Sequence, residues 1–238
     1  MYDLQSIIKV DNLKKAYGKT VVLDGISFEL NKGDIVGLLG PNGSGKTTLI
    51  KILTGLIKDH QGNVEIDGEK PGVHSKSLIA FLPDKSYLPD WMKPIDAINY
   101  FADFFADFDK EKAIEIMPRF GVDLNQRLKT MSKGQQEKLQ LLLVMCRNAR
   151  IYILDEPMGG VDPAARDFIL ETILKNRPEG STILMSTHLI QDVEEIFDSI
   201  LMIRQGQVRI QDSVENLTKD GKTINDLFKE VFSVDWNF

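Results

Sequence analysis

The 238-residue chain holds one cysteine, three histidines and two tryptophans. A single thiol allows no internal disulfide and suits a reducing compartment. Cys146 lies in the apolar run Leu141–Cys146, where a free thiol acts as a core side chain rather than a reagent. That run is the longest unbroken stretch of large apolar residues, far short of the roughly 20 needed to cross a bilayer. Positive charge is also scarce. Lys and Arg number 29 against 35 Asp and Glu, a net charge of −6, so a sequence-independent grip on nucleic acid, which needs clustered cations, is not expected. Residues Met1-Tyr2-Asp3-Leu4-Gln5-Ser6 have neither the basic start nor the apolar stretch of a secretory signal. These absences together lead us to expect a cytoplasmic protein.

What is present is globular. Hydrophobic residues make up 42% and charged residues 27%, and a chain of this size buries roughly 70–75% of its unfolded surface without staples. Short runs rich in Ile, Val and Leu at both alternating positions, Ile35–Leu39, Ile79–Leu82, Ile151–Leu154, Thr182–Met185 and Ile200–Ile203, read as strands covered on both faces. Alternating with helical patterns, they predict an α/β core around a mostly parallel sheet. Ile7–Val10, Phe28–Leu30, Val64–Asp67 and Val208–Gln211 look like an antiparallel ribbon around it. Between about 86 and 148 a helical subdomain interrupts the core. Its signals are Pro94, suited to a first helical turn, and Ile98, Phe101, Phe104, Phe105 and Phe108, spaced to line a helical core. Neighbouring Tyr87, Leu88, Pro89, Trp91 and Met92 are too apolar for an ordinary solvated loop and suggest a partner surface. We expect one domain over residues 1–238.

The segment Gly40-Pro41-Asn42-Gly43-Ser44-Gly45-Lys46-Thr47, followed by Thr48, fits G-x-x-x-x-G-K-[ST] in full. It stands between a predicted strand and a helix with Leu49, Ile52, Leu53 and Leu56 on one face, as a phosphate-binding loop requires. Glycines let the backbone curl so that its N–H groups converge on phosphate oxygens, and the helix N-terminus adds its positive end. Lys46 is placed to reach the β- and γ-phosphates, and the Thr47 hydroxyl to ligate Mg²⁺. A bare glycine turn is the bland alternative, and the strand–loop–helix context speaks against it.

About 110 residues later, Ile151–Leu154 leads into Asp155-Glu156-Pro157. An Asp at this strand end in a phosphate-loop protein holds Mg²⁺ directly or through water, and the adjacent Glu can orient or deprotonate the attacking water. By itself the pair is also an ordinary strand end; beside the loop the catalytic reading dominates. His188 follows the strand Thr182–Ser186 on the edge that carries ligands in such sheets.

Taken in order, these motifs resemble the ATP-binding subunits of ABC transporters from Ile7 to about Val214. In that resemblance Gly40–Thr48 is the Walker A loop, Ile151–Glu156 the Walker B strand and His188 the switch histidine. Lys14-Lys15-Ala16-Tyr17-Gly18 is similar to the loop whose aromatic stacks on adenine, Tyr17 here. Gly159-Gly160-Val161-Asp162 is similar to the D-loop, with Asp162 kept. Met131-Ser132-Lys133-Gly134-Gln135-Gln136 occupies the place of the signature, usually Leu-Ser-Gly-Gly-Gln. Ser132 and Gln135 also have the spacing of a helix capping box, and the two readings are compatible. Three places depart from the usual pattern: Lys133 replaces a glycine, Asp84, after Phe81-Leu82-Pro83, replaces a glutamine that helps ligate Mg²⁺, and the D-loop lacks the usual Ser-Ala-Leu-Asp wording. Such changes resemble the bacterial drug-, lantibiotic- and bacitracin-type exporters.

The resemblance implies an ATPase with ATP and Mg²⁺ as cofactors, Glu156 and His188 as catalytic groups, and Thr47, Asp155 and Asp84 as metal ligands. It implies nucleotide contacts from Tyr17, from Gly40 to Thr48, and from Ser132, Lys133, Gly134 and Gln135. It also implies two partners: a membrane permease, which holds this chain at the inner face of the cell membrane, and a second ATP-binding subunit, a copy of the chain or a related one. Soluble ABC ATPases of translation or repair need tandem domains or long coiled coils, which 238 residues do not hold. A regulatory module with little turnover is the other alternative, against which Glu156 and His188 stand.

Overall fold

The computed structural model describes residues 6–159 and 163–232. In chain order the strands are β1 (Ser6–Tyr17), β2 (Thr20–Asn31), β3 (Ile35–Leu39), β4 (Gln61–Ile66), β5 (Ile79–Leu82), β6 (Ile151–Asp155), β7 (Thr182–Thr187), β8 (Ser199–Arg204) and β9 (Gln207–Ser213). The α-helices are α1 (Lys46–Leu53), α2 (Val73–Leu78), α3 (Pro94–Phe104), α4 (Lys110–Arg119), α5 (Lys133–Met145), α6 (Pro163–Asn176), α7 (Val214–Leu217) and α8 (Ile224–Phe232).

The strands form two sheets. One is six-stranded in the order β5-β6-β7-β3-β8-β9, parallel throughout except where β9 returns along β8; the other is antiparallel in the order β2-β1-β4. Strands β3 and β6 are buried at every residue, which explains their unbroken apolar runs. Outer strand β1 instead alternates buried Ile8, Val10 and Leu13 with exposed residues along much of its length. One hydrophobic cluster fills the space between the two sheets and includes Leu49, Ile52 and Leu53 of α1. A second lies on the opposite face of the large sheet, under α6 and α8. Helices α3, α4 and α5 follow β5 and precede β6, and enclose their own core of Leu88, Ile98, Phe101, Met117, Leu142 and Cys146. Burying each such side chain stabilises the fold by roughly 1.5–3 kcal/mol.

Two sequence expectations need correction. Val208–Gln211 is antiparallel but joins β8 at the edge of the large sheet instead of the separate ribbon. The cause is the turn between β8 and β9, where Gln205 (φ 50°) and Gly206 (φ 72°) are both left-handed, a tight two-residue reversal that pairs the strand with its immediate predecessor. The aromatic stripe does not all face inward. Helix α3 ends at Phe104, which is 67% exposed and stacks on Tyr100 with ring centroids 4.5 Å apart. Phe101 is buried, and Phe105 and Phe108 pack against the same core from beyond the helix end. The apolar stretch before α3 also divides. Leu88 and Met92 join that core, whereas Tyr87 and Trp91 are exposed.

Candidate nucleotide site

Strand register assembles the site. Leu39 of β3 lies opposite Thr187 of β7, Asp155 of β6 opposite Ser186, and Leu82 of β5 opposite Leu154. The residues that follow these parallel strands, the 40–45 loop, Glu156, His188 and Asp84, therefore emerge along one carboxyl edge, where open α/β sheets bind ligands. Asp84, Glu156 and His188 line a cavity of about 490 Å³ with Asn42 to Thr48, Val22 and Gly159. Gly40 and Pro41 form the base of the loop, and their carbonyls accept bonds from Lys46 Nζ at 2.7 and 3.3 Å.

Only glycine fits two points of that loop. A Cβ on Gly40 would stand 2.3 Å from the Ile203 carbonyl oxygen, and Gly45, the N-cap of α1, has φ 109°. Lys46 is only 6% exposed. Burial pulls its ammonium below the ordinary value, and the carboxylates of Glu156 and Asp155 oppose that shift. The buried Ser44 Oγ has no hydrogen-bond partner among the described residues, so the loop presents unsatisfied polar capacity next to a buried cation, as an anion site should.

The carboxylates are held by one residue that motif reading passes over. Ser186 is fully buried; its hydroxyl donates to Asp155 Oδ1 at 2.6 Å and accepts from the Glu156 backbone N–H at 3.0 Å. The Glu156 N–H also reaches the Ser186 carbonyl at 3.1 Å. Glu156 has φ 52°, rare for a residue with a Cβ. That conformation turns the chain at the strand end, so that two successive carboxylates serve one edge. Glu156 Oε2 then meets His188 Nδ1 at 2.7 Å and the His188 backbone N–H at 3.3 Å. A polar Ser ending an apolar core strand was the available signal for Ser186. Val22, on the neighbouring β2, carried none.

Burial raises the Asp155 carboxyl above its usual range, and the charges of Asp84 and Glu156 push it further, against hydrogen bonds from Ser186 and Thr47. A divalent cation would relieve that crowding. Among the described residues no group of three or more His, Cys, Asp or Glu forms a metal site by itself. A hydroxyl, one or two carboxylates and the oxygens of a bound phosphate are the hard-oxygen set that suits Mg²⁺, which keeps several waters. The residues present fit that ion.

Other expected site residues lie elsewhere. Tyr17 ends β1 and is 50% exposed, with Lys15 Nζ 5.0 Å from its ring centre, and it does not line the cavity. Ser132, Lys133, Gly134 and Gln135 do not line it either. They open α5 as a capping box: Ser132 Oγ accepts from Gln135 N at 3.2 Å, and Gln135 Oε1 accepts from Ser132 N at 2.9 Å. Asp162 lies outside the described residues.

A second cavity, about 560 Å³, separates the β5 edge from the helical insert. Leu56, Phe81, Tyr87, Tyr100 and Phe101 give it an apolar lining, and Lys76 and Lys85 add charge. Arg147 closes its floor, donating to the Ser77 and Ile79 carbonyls and to Asp107, with its guanidinium 4.0 Å from the Phe105 ring centre. Trp91 is not part of this lining.

The family model described as ABC transporter matches residues 23–159, from β2 through the Asp155–Glu156 strand end. The chain belongs to the ABC transporter ATP-binding family. As such it is a nucleotide-binding ATPase subunit of a transporter. It is 35% identical over 221 residues to an ABC transporter ATP-binding protein of Methanocaldococcus jannaschii, covering 89% of this chain and 79% of that one. It is 31% identical over 208 residues to the SkfA peptide export ATP-binding protein of Bacillus subtilis, covering 85% and 87%. A lantibiotic transport ATP-binding protein of Streptococcus pyogenes is 29% identical over 216 residues, covering 89% and 94%. Among solved structures, the ATP-binding subunit of an ABC transporter superposes with a TM-score of 0.84 at 25% identity, covering 95% of this ABC subunit and 99% of the other. A dimeric ATP-binding cassette bound to ADP and Pi shares the fold, with a TM-score of 0.76 at 21% identity over 87% of this chain and 98% of that one.

Proposed function

We propose that this subunit, held at the inner face of the cell membrane by a separate permease, powers export through that permease, and that two ATP-binding subunits close on two ATP molecules to do so. The observation that carries the pairing is a separation: the Ser132–Gln135 turn, an exposed capped helix start suited to phosphate, does not line the cavity that holds Lys46, Glu156 and His188. A second subunit facing the first would bring such a turn to the open side of that cavity. Export is supported by relatives named for peptide export and lantibiotic transport. The apolar cavity beside the exposed Tyr87 and Tyr100 is the surface we assign to the permease, because exposed apolar patches mark partner sites.

In this reading Lys46 and the loop N–H groups hold the β- and γ-phosphates, while Thr47 and Asp155, with Asp84 beside them, would hold Mg²⁺, which neutralises phosphate charge when bound. Glu156 takes a proton from the attacking water. His188, hydrogen-bonded to Glu156, orients that carboxylate and senses the γ-phosphate. Tyr17 flanks the base, and Asp162 joins the contact between subunits. The test is light scattering of the Glu156→Gln protein with Mg²⁺ and either nucleotide. A dimer with ATP and a monomer with ADP is the expected result; a monomer in both would refute the paired site.

A further inference from the structure

Lys133 stands where the usual Leu-Ser-Gly-Gly-Gln wording of the signature has glycine, and the structure gives it a partner. Its Nζ is 3.5 Å from Glu137 Oε1, one turn along α5, with Lys133 75% exposed and Glu137 20% exposed. The other oxygen, Glu137 Oε2, is buried and without a hydrogen-bond partner among the described residues. Lys133 is thus the main compensation for a carboxylate that α5 half buries, and burial still raises the Glu137 carboxyl above its ordinary range. Without Glu137, α5 would present to an approaching anion its helix-start N–H groups and a full ammonium charge together.

We propose that Glu137 is a positioning residue for Lys133: it holds the ammonium along α5 and limits how much positive charge the nucleotide of a second subunit meets. The inference rests on the reading above that the 132–135 turn faces the nucleotide of a partner. The sign follows from comparing two small effects. A loose ion pair one turn apart on a helix contributes little to order. The field of a triphosphate acting on an uncompensated cation at a closed interface is stronger, because water is excluded there. Freeing Lys133 should therefore tighten the ATP-held pair rather than loosen it, and make that pair more sensitive to salt.

The experiment uses the full chain carrying Glu156→Gln, titrated with ATP and Mg²⁺ at several NaCl concentrations and followed by light scattering. Glu137→Gln keeps the side-chain shape, and circular-dichroism melting of the same samples reads any loss of fold. Adding Glu137→Gln should tighten dimerisation roughly 3–10-fold and steepen its salt dependence. Adding Lys133→Gln alone should weaken the dimer and flatten the salt dependence, and in that background Glu137→Gln should have less than half its effect. If Glu137→Gln leaves the dimer unchanged or weaker, or tightens it equally with and without Lys133, the positioning role is wrong. If Lys133→Gln changes neither affinity nor salt dependence, the facing arrangement itself fails and the inference falls with it.

Discussion

Replacing Glu156 by Gln separates binding from hydrolysis, and the geometry sets the size of both effects. The carboxylate is 15% exposed, lies 2.7 Å from His188 Nδ1 and sits in the cavity that contains Lys46. Gln preserves the shape and can still hydrogen-bond, but it is not basic. Losing a positioned general base costs about 10²–10⁴ in rate, or about 3–5 kcal/mol on the barrier at 1.36 kcal/mol per tenfold. Binding should respond in the other direction. At an effective dielectric of 20, a carboxylate about 4 Å from one unit of phosphate charge is repelled by about 4 kcal/mol, less in proportion as the distance grows, so its removal keeps or raises ATP affinity even after Lys46 loses a favourable neighbour. The assay pairs phosphate release under single-turnover conditions with ATP affinity measured by equilibrium dialysis. A Glu156→Gln protein that binds ATP normally and hydrolyses it at the unmodified rate would remove Glu156 from the chemistry. A variant that loses both activities would make Glu156 a binding residue instead.

Three further outcomes test the strand beside that carboxylate, the base contact and the helical core. Ser186→Ala removes the hydroxyl donor from Asp155 Oδ1 and leaves the Glu156 N–H with the Ser186 carbonyl alone; it should cost about 1–3 kcal/mol of stability in a urea melt and slow turnover more than it weakens ATP binding. Tyr17→Ala should weaken ATP binding several-fold, since stacking on an aromatic is worth about 1–3 kcal/mol, while Tyr17→Trp keeps it; unchanged affinity in the Ala protein would place the adenine elsewhere. Burial raises the Cys146 thiol from 9.0 to about 11, so the unfolded chain gives up this proton at lower pH than the folded one. Its contribution to stability is whole below pH 9 and falls by about 2–3 kcal/mol as the pH rises to 11; Cys146→Ala should remove that part of the alkaline loss, as read from melts across this range.

The fold and the site differ in how far they could be read from residues alone, and the difference has a physical basis. The 40–48 loop was legible because its chemistry is local: φ 109° at Gly45 and the close approach at Gly40 are demands on single residues, and glycine is the visible answer. Strands β3, β6 and β7 were legible because burial on both faces leaves their central residues apolar without alternation. Where the outcome depended on what lay across the sheet, the residues were ambiguous. Val208–Gln211 has the same pattern whether it edges the core or joins the ribbon, and two left-handed turn residues decided it. Phe104 keeps helical spacing with Phe101, yet the helix ends there and the ring goes to solvent. The Asp155–Glu156 pair shows the limit most sharply. Strand alternation points adjacent side chains to opposite faces, which argues against a shared site. The conflict is resolved only by the left-handed backbone at Glu156, which the Ser186 side chain and carbonyl hold from the neighbouring strand, 30 residues away. Such a backbone costs on the order of 1–3 kcal/mol and persists where its surroundings over-determine it. Here two hydrogen bonds to the Glu156 N–H do so, and the strain delivers the carboxylate to His188.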